Sequence, residues 1–272
     1  MFYLINKPTN ISSFKAIKDF ARENNIKKIG HTGTLDPLAS GLLLVATDED
    51  TKLIEYIDQG HKTYQATMEL GKISDTYDNQ GQIQTLTTPE IDPKQVVLTI
   101  KTFIGEQMQT PPIFSAKKVQ GQRSYDLARQ GIKSKLKPVK INILSIDNIK
   151  SINPSTYQFD VCVSRGTYIR SLIHDIGQKL QTGAIMTKLI RTKIGDLKLV
   201  DKPTAIDIKN LLNLEIMSLQ DIKNLVHGKE QKTNYPDGKY ALEYQGQIIG
   251  IGNVKNKILK SQKLLGNKIA KL

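Results

Sequence analysis

The 272-residue sequence has a single cysteine, Cys162, and no tryptophan. One thiol excludes an internal disulfide and fits a reducing compartment. With one cysteine and four scattered histidines, at 31, 61, 174 and 227, the ligand spacing of a structural zinc site is missing. The chain contains no G-x-x-x-x-G-K-[ST] phosphate loop, no G-x-G-x-x-G fingerprint and no H-E-x-x-H pair. ATP, NAD and zinc chemistry therefore carry no sequence signal. No apolar run approaches the ~20 residues of a membrane-spanning helix. The apolar patch at residues 2–5 is too short for a secretory leader and has no basic region before it. These absences together predict a cytoplasmic protein without metal or cofactor, with no membrane partner, whose chemistry rests on ordinary side chains.

Acidic residues are also in short supply: 26 against 39 basic ones, a formal net charge of +13. The excess is unevenly placed. Residues 1–100 carry a net charge of −3, residues 101–150 a net charge of +7, and residues 250–272 six lysines and no acid. Two local basic blocks read as a footprint for a polyanion, nucleic acid being the commonest and an anionic membrane surface the alternative. At 39% hydrophobic and 24% charged residues, the chain suits a globular protein with a sizeable core.

The patterning predicts mixed β and α elements. Residues 2–6 read as a strand. Ser12 or Ser13 caps a helix with Phe14, Ile17 and Ala21 on one face. A buried strand covers 42–47, and Asp48 caps a helix carrying Leu53, Ile54 and Ile57. Tyr64, Ala66, Met68 and Leu70 alternate on one strand face. Residues 82–86 form a strand, and Pro93 starts a helix with Val96, Val97 and Ile100. Residues 115–119 read as a strand and 124–130 as a helix capped by Gly131. Strands follow at 139–149 and 155–164, then a helix with Ile169, Leu172, Ile173, Ile176 and Leu180. A strand near 183–190, helices near 204–213 and 218–227, a polar linker at 229–237 and a small β unit at 239–265 complete the chain. Many hairpin-like pairs without regular βαβ alternation predict an α+β fold with a largely antiparallel sheet.

One stretch organises the rest: residues 30–43, GHTGTLDPLASGLL. It holds a single acid, Asp36, between turn residues and an apolar run. Pro37 fixes its own φ and biases Asp36 towards an extended conformation. Asp36 thus sits on a stiffened loop leading into a buried strand. Taken alone it is a turn-capping acid or a presented nucleophile or base.

The segment resembles the signature motif of the TruB family of tRNA pseudouridine synthases. Other parts match in order. Asn6-Lys7-Pro8 with Ser13-Phe14 is similar to the family's N-terminal segment. Lys62-Thr63-Tyr64 with Leu70-Gly71, Ser74-Asp75-Thr76, Asp78 and Gly81 is similar to its second motif. Residues 109–131, with Lys117, Lys118 and Arg129, resemble the basic middle segment. Ser164 to Leu172, SRGTYIRSL, resembles the GTYIR motif. The likeness spans roughly residues 2–195. Two places depart from it: Asn10 stands where glycine is usual, and the LRRT segment reads Leu189-Ile190-Arg191-Thr192.

The resemblance implies a pseudouridine-synthase fold over 1–228, with a basic RNA-binding segment at about 109–137, and a small PUA-like RNA-binding domain over 234–272. It implies a monomer that isomerises uridine 55 of the tRNA T-loop without a cofactor or protein partner. Asp36 matches the catalytic aspartate. Tyr64 matches a tyrosine that stacks on the base and takes its C5 proton, and Arg170 an arginine paired with the aspartate. His31 matches a histidine that enters the T-loop beside the extruded base, and Leu189 a pocket-lining leucine. Lys7, Lys117, Lys118, Arg129 and Arg191 are the expected RNA contacts. Attack at C6, attack at C1′ and a glycal route are all compatible with this set. A guide-RNA-dependent synthase of the same branch and a non-catalytic tRNA-binding or folding protein are the alternatives. Abundant Lys, Ile and Asn fits an AT-rich bacterial genome.

Overall fold

The computed structural model describes residues 1–87, 90–115 and 136–270, with backbone alone at 118–119, 122–123 and 210. The strands are β1 (Phe2–Lys7), β2 (Ile29–His31), β3 (Ser40–Thr47), β4 (Lys62–Leu70), β5 (Lys72–Ser74), β6 (Ile83–Thr85), β7 (Gly105–Gln109), β8 (Lys118–Val119), β9 (Gln122–Arg123), β10 (Val139–Asn153), β11 (Thr156–Val163), β12 (Ala184–Ile194), β13 (Leu197–Lys198) and β14 (Thr204–Ile206), followed by β15 (Glu215–Ser218), β16 (Gln231–Lys232), β17 (Gly238–Tyr244), β18 (Gln247–Lys255) and β19 (Ile258–Leu264). The longer helices are α1 (Ser13–Glu23), α2 (Pro93–Lys101) and α3 (Ile169–Lys179).

Ten strands form one sheet in the order β14-β1-β3-β12-β4-β11-β10-β7, with β2 beside β3 and β13 beside β12. Its pairings are antiparallel except that of β12 with β3. The position of β3 explains its unbroken apolar run. Leu42, Leu44 and Ala46 pack in one core and Leu43 and Val45 in another, beneath α1. β4 alternates as expected, placing Tyr64, Ala66, Met68 and Leu70 in the core with α2 and α3. β11 does the same with Tyr157, Phe159, Val161 and Val163. The largely antiparallel α+β architecture predicted by the patterning is present.

Gly41 at the head of β3 allows its parallel pairing with β12. It has φ +106, and a Cβ there would lie 2.4 Å from the Arg191 carbonyl oxygen. Only glycine permits that approach. Asn10 adopts φ 62, so asparagine fills the left-handed turn position where glycine is usual.

Several expected elements differ. Phe14 is exposed, since Ser13, Ala16, Ile17, Phe20 and Ala21 form the buried face of α1. Ser12 is its cap, accepting from the Lys15 N–H. Asp48 has φ 50 and gives its N–H to the Lys28 carbonyl, so it turns the chain and caps nothing; 3₁₀ turns follow over Asp48–Tyr56. Residues 204–206 supply an edge strand to β1, because β1 leaves that edge open. Residues 215–218 pair with β17, and only Lys223–Val226 of the second expected helix is helical. The segment 229–237, expected as a linker, contributes β16 to the second sheet. Residues 118–119 pair with 122–123 as a two-stranded ladder. The predicted helix at 124–130 lies outside the described residues.

The second sheet has the order β15-β17-β18-β19-β16. Its tight turns take positive φ at Gln245 and Gly246 and again at Asn256 and Lys257, which suits two-residue hairpins. Ala241, Ile248, Ile251 and Leu265 share a core with Leu42 and Leu44 of β3, so this sheet supports the back of the strand that follows Asp36. Lysines of this sheet and of the turn of helix after it are engaged with acids: Lys260 with Glu230, Lys263 with Glu55 and Lys268 with Asp50.

Candidate active site

The loop between β2 and β3 is fixed from several sides. Ser13, buried at the start of α1, gives its hydroxyl to the Leu35 carbonyl at 3.0 Å and accepts the Leu35 N–H at 2.8 Å. The Thr9 hydroxyl donates to the Leu38 carbonyl at 2.7 Å. Lys7 Nζ donates to the carbonyls of Ile11 (2.6 Å), Pro8 (2.8 Å) and Pro37 (3.3 Å). From β12, Arg191 Nε reaches the Leu42 carbonyl at 2.7 Å and its Nη2 the Gly33 carbonyl at 3.1 Å. Loop backbone with so many fixed partners is preorganised, and Asp36 is at its centre.

Arg170 lies in the first turn of α3 and is buried. Its guanidinium spreads over three segments. Nε donates to Asp36 Oδ2 at 2.9 Å, Nη1 to the Thr76 carbonyl at 3.0 Å and Nη2 to the Phe114 carbonyl at 3.0 Å. The contact with Asp36 is therefore a single hydrogen bond, because the other two nitrogens hold backbone. A second carboxylate, Asp78, is 4% exposed and places Oδ2 3.7 Å from Arg170 Nε. Its Oδ1 accepts from the Thr76 hydroxyl (2.6 Å) and the Gln80 N–H (3.0 Å). The side chain of Asp36 is 37% exposed, so its carboxylate reaches solvent while Arg170 stays inside.

Tyr64 projects from β4 into the core that also holds Leu35, Leu38 and Leu189. Burial pushes its phenol upward, and the neighbouring Arg191 guanidinium opposes that. Tyr168 is the residue just before α3; burial raises its phenol too, the Ser115 hydroxyl opposes this, and the Asp36 charge adds to it. His31, half-buried on β2, has its imidazole lowered by burial and by Arg191, and its Nδ1 has no hydrogen-bond partner among the described residues. Lys62 is pushed down to about 8 by burial and by the charges of Arg191 and Arg165.

Asp36 and Arg170 meet directly, Tyr64 and Leu189 lie in the core with Leu35 and Leu38 of the same loop, and His31 is on the strand just before. Lys7 and Arg191 are corrections. Lys7 is fully buried and gives its three N–H groups to carbonyls, and burial pulls its ammonium down to about 8. Arg191 is 1% exposed. Neither has a face for RNA; both hold the Asp36 loop. Lys117 and Arg129 lie outside the described residues, as does the side chain of Lys118. The parts not foreseen are the Asp78 carboxylate, the carbonyls of Thr76 and Phe114 and the phenol of Tyr168. Asp78 stands in a D-N-Q-G stretch that reads as an ordinary turn, and its burial has no local sequence sign.

The model of the TruB family pseudouridylate synthase N-terminal domain matches residues 21–169, and that of the tRNA pseudouridylate synthase B C-terminal domain matches residues 170–233. Over 275 residues the chain is 46% identical to tRNA pseudouridine synthase B of Mycoplasmopsis pulmonis, an alignment covering 100% of this chain and 97% of that one. It is 39% identical over 257 residues to tRNA pseudouridine synthase B of Clostridium tetani, covering 94% and 86%. The Cbf5–Nop10–Gar1 crystal structure superposes with a TM-score of 0.67 at 22% identity, covering 97% of this chain and 84% of that one, which shows a shared fold. With family matches across residues 21–233 and a relative aligned over its whole length, the chain belongs to the TruB family of tRNA pseudouridine synthases, which are isomerases.

Proposed function

We propose that this synthase acts on uridine 55 in the T-loop of tRNA, as a cytoplasmic monomer needing no guide RNA, with Asp36 as its nucleophile. The observation that carries the reading is the pairing of a partly exposed Asp36 carboxylate with a buried Arg170 on a loop fixed by Ser13, Lys7, Thr9 and Arg191. A cation at 2.9 Å holds the carboxylate in a fixed position. A base stacked inside a folded loop must be extruded to meet it, at a cost of about a few kcal/mol. His31 is the group proposed to fill the vacated space. Its unpartnered Nδ1 and lowered basicity fit a neutral imidazole that finds its partner in RNA.

The isomerisation breaks the N1–C1′ bond, turns the base and forms a C5–C1′ bond; N1 gains a proton and C5 loses one. Asp36 assists the cleavage and Arg170 balances its charge. The ring of Tyr64 is the group proposed to support the base, worth about 1–3 kcal/mol. The Arg191 guanidinium beside its hydroxyl supplies the charge that removal of the C5 proton would need. The second sheet, with Lys255 and Lys257 at an exposed turn, is proposed as an additional RNA contact.

Chemical mapping of pseudouridine in a T-arm stem-loop treated with the purified chain tests the reading. Modification of the position-55 uridine alone is expected. Modification elsewhere, or a requirement for a second RNA, would overturn it. Reversing the charges of Lys117 and Lys118 together is expected to weaken tRNA binding and to reduce the slope of log K against log salt by about 2. An unchanged slope would place the footprint elsewhere.

A further inference from the structure

Tyr77 is the residue between Thr76, whose carbonyl holds Arg170, and the buried Asp78. It has φ 63, a left-handed backbone that an aromatic residue seldom adopts. Its ring stacks on the imidazole of His174 with centroids 4.0 Å apart and planes at 15°. His174 follows Arg170 by four residues, so both lie on one side of α3, one turn apart. The helix therefore grips two successive residues of the same turn: Arg170 takes the Thr76 carbonyl and His174 the Tyr77 ring. Beyond Tyr77 the turn is fixed to β12, where Met186 N–H donates to the Tyr77 carbonyl (3.0 Å) and Asn79 N–H to the Met186 carbonyl (3.2 Å). The peptide before Tyr77 is tied only to the end of β5, by one hydrogen bond from Tyr77 N–H to the Ser74 carbonyl at 3.2 Å among the described residues, and by Arg170 on its carbonyl side. Its direction follows the φ of Tyr77, and relaxing that φ to a negative value would break the bond to Ser74 and swing the Thr76 carbonyl away from Arg170 Nη1.

We infer that the Tyr77–His174 stack is a latch that keeps Tyr77 left-handed and so positions Arg170 against Asp36. Neither ring touches the reacting atoms. Both are positioning residues, and the inference rests on the proposed role of the Asp36–Arg170 pair. Burial lowers His174 and so favours its neutral imidazole.

The test is steady-state kinetics of full-length His174→Ala and His174→Phe on a T-arm stem-loop, with tRNA affinity measured in parallel. His174→Ala is expected to lower kcat about tenfold, as a displaced catalytic contact does, with KM and affinity within about twofold. His174→Phe keeps a flat ring and is expected to recover most of the rate. Wild-type kcat in His174→Ala would overturn the latch. So would a raised KM at unchanged kcat, which would make His174 an RNA contact. An equal loss in the Phe variant would also overturn it, because stacking would then not be the working interaction. Asp36→Asn measured alongside separates the two levels: turnover there removes the underlying reading, whereas its loss together with a wild-type His174→Ala removes the latch alone.

Discussion

Asp36→Asn is expected to abolish pseudouridine formation while leaving tRNA affinity within about threefold of wild type. The substitution is nearly isosteric. The amide oxygen can still accept from Arg170 Nε, and Arg170 keeps its bonds to the Thr76 and Phe114 carbonyls. Ser13, Lys7, Thr9 and Arg191 hold the backbone of the loop, and none of them touches the Asp36 side chain through a hydrogen bond. Stability and RNA docking should therefore change little. What is lost is the negative charge and its nucleophilic oxygen. A loss of turnover of at least about 1,000-fold corresponds to about 4 kcal/mol of barrier. Single-turnover conversion of a T-arm transcript, with affinity from filter binding, measures both sides. Turnover near wild type would remove Asp36 from the chemistry. A parallel collapse of affinity would make it an RNA-binding acid, a role that electrostatics disfavours for a carboxylate facing a polyanion.

The parts of this site legible in the sequence are those carried by contiguous residues. The loop around Asp36 announces itself through Gly30, Gly33, Pro37 and Gly41, because special backbone needs special residues. Tyr64 is placed by period-2 alternation and Arg170 by the start of an amphipathic helix. Lys7 and Arg191 are buried rather than exposed to RNA for a common physical reason. A basic residue in a basic protein reads as exposed, and burial of its charge depends on carbonyls from distant segments: Pro37 for Lys7, Gly33 and Leu42 for Arg191. Residues 204–218 depart from the expected helices for a similar reason, whereas the β unit expected at 239–265 is present. Thr204–Ile206 and Glu215–Ser218 are short segments whose state is set by open strand edges on β1 and β17, which no local pattern records.

The cation of the site does more than balance the nucleophile, and Arg170→Lys shows where its energy lies. Lysine keeps the charge but cannot direct N–H groups along three divergent lines to Asp36, Thr76 and Phe114. The pair with Asp36 contributes little to stability, since that carboxylate is 37% exposed and solvent-screened. The carbonyls of Thr76 and Phe114, and Asp78 at 4% exposure, are different. Losing a hydrogen bond from a charged donor costs roughly 1.5–3 kcal/mol, so forfeiting one of the two carbonyl contacts predicts a destabilisation of about 2–3 kcal/mol. At about 2–4 °C per kcal/mol for a domain of comparable size, the melting temperature should fall by roughly 4–12 °C. Turnover should fall about 100-fold as Asp36 loses its fixed partner. Arg170→Met removes the charge as well, and stranding Asp78 should raise the destabilisation to about 3–5 kcal/mol. Calorimetric melting and T-arm kinetics on the same preparations decide between the roles. A lysine variant with wild-type melting and impaired turnover would mean that the contacts to Thr76 and Phe114 are incidental. A less stable variant with wild-type turnover would mean that Asp36 needs no fixed cation, and the preorganised pair would cease to explain catalysis.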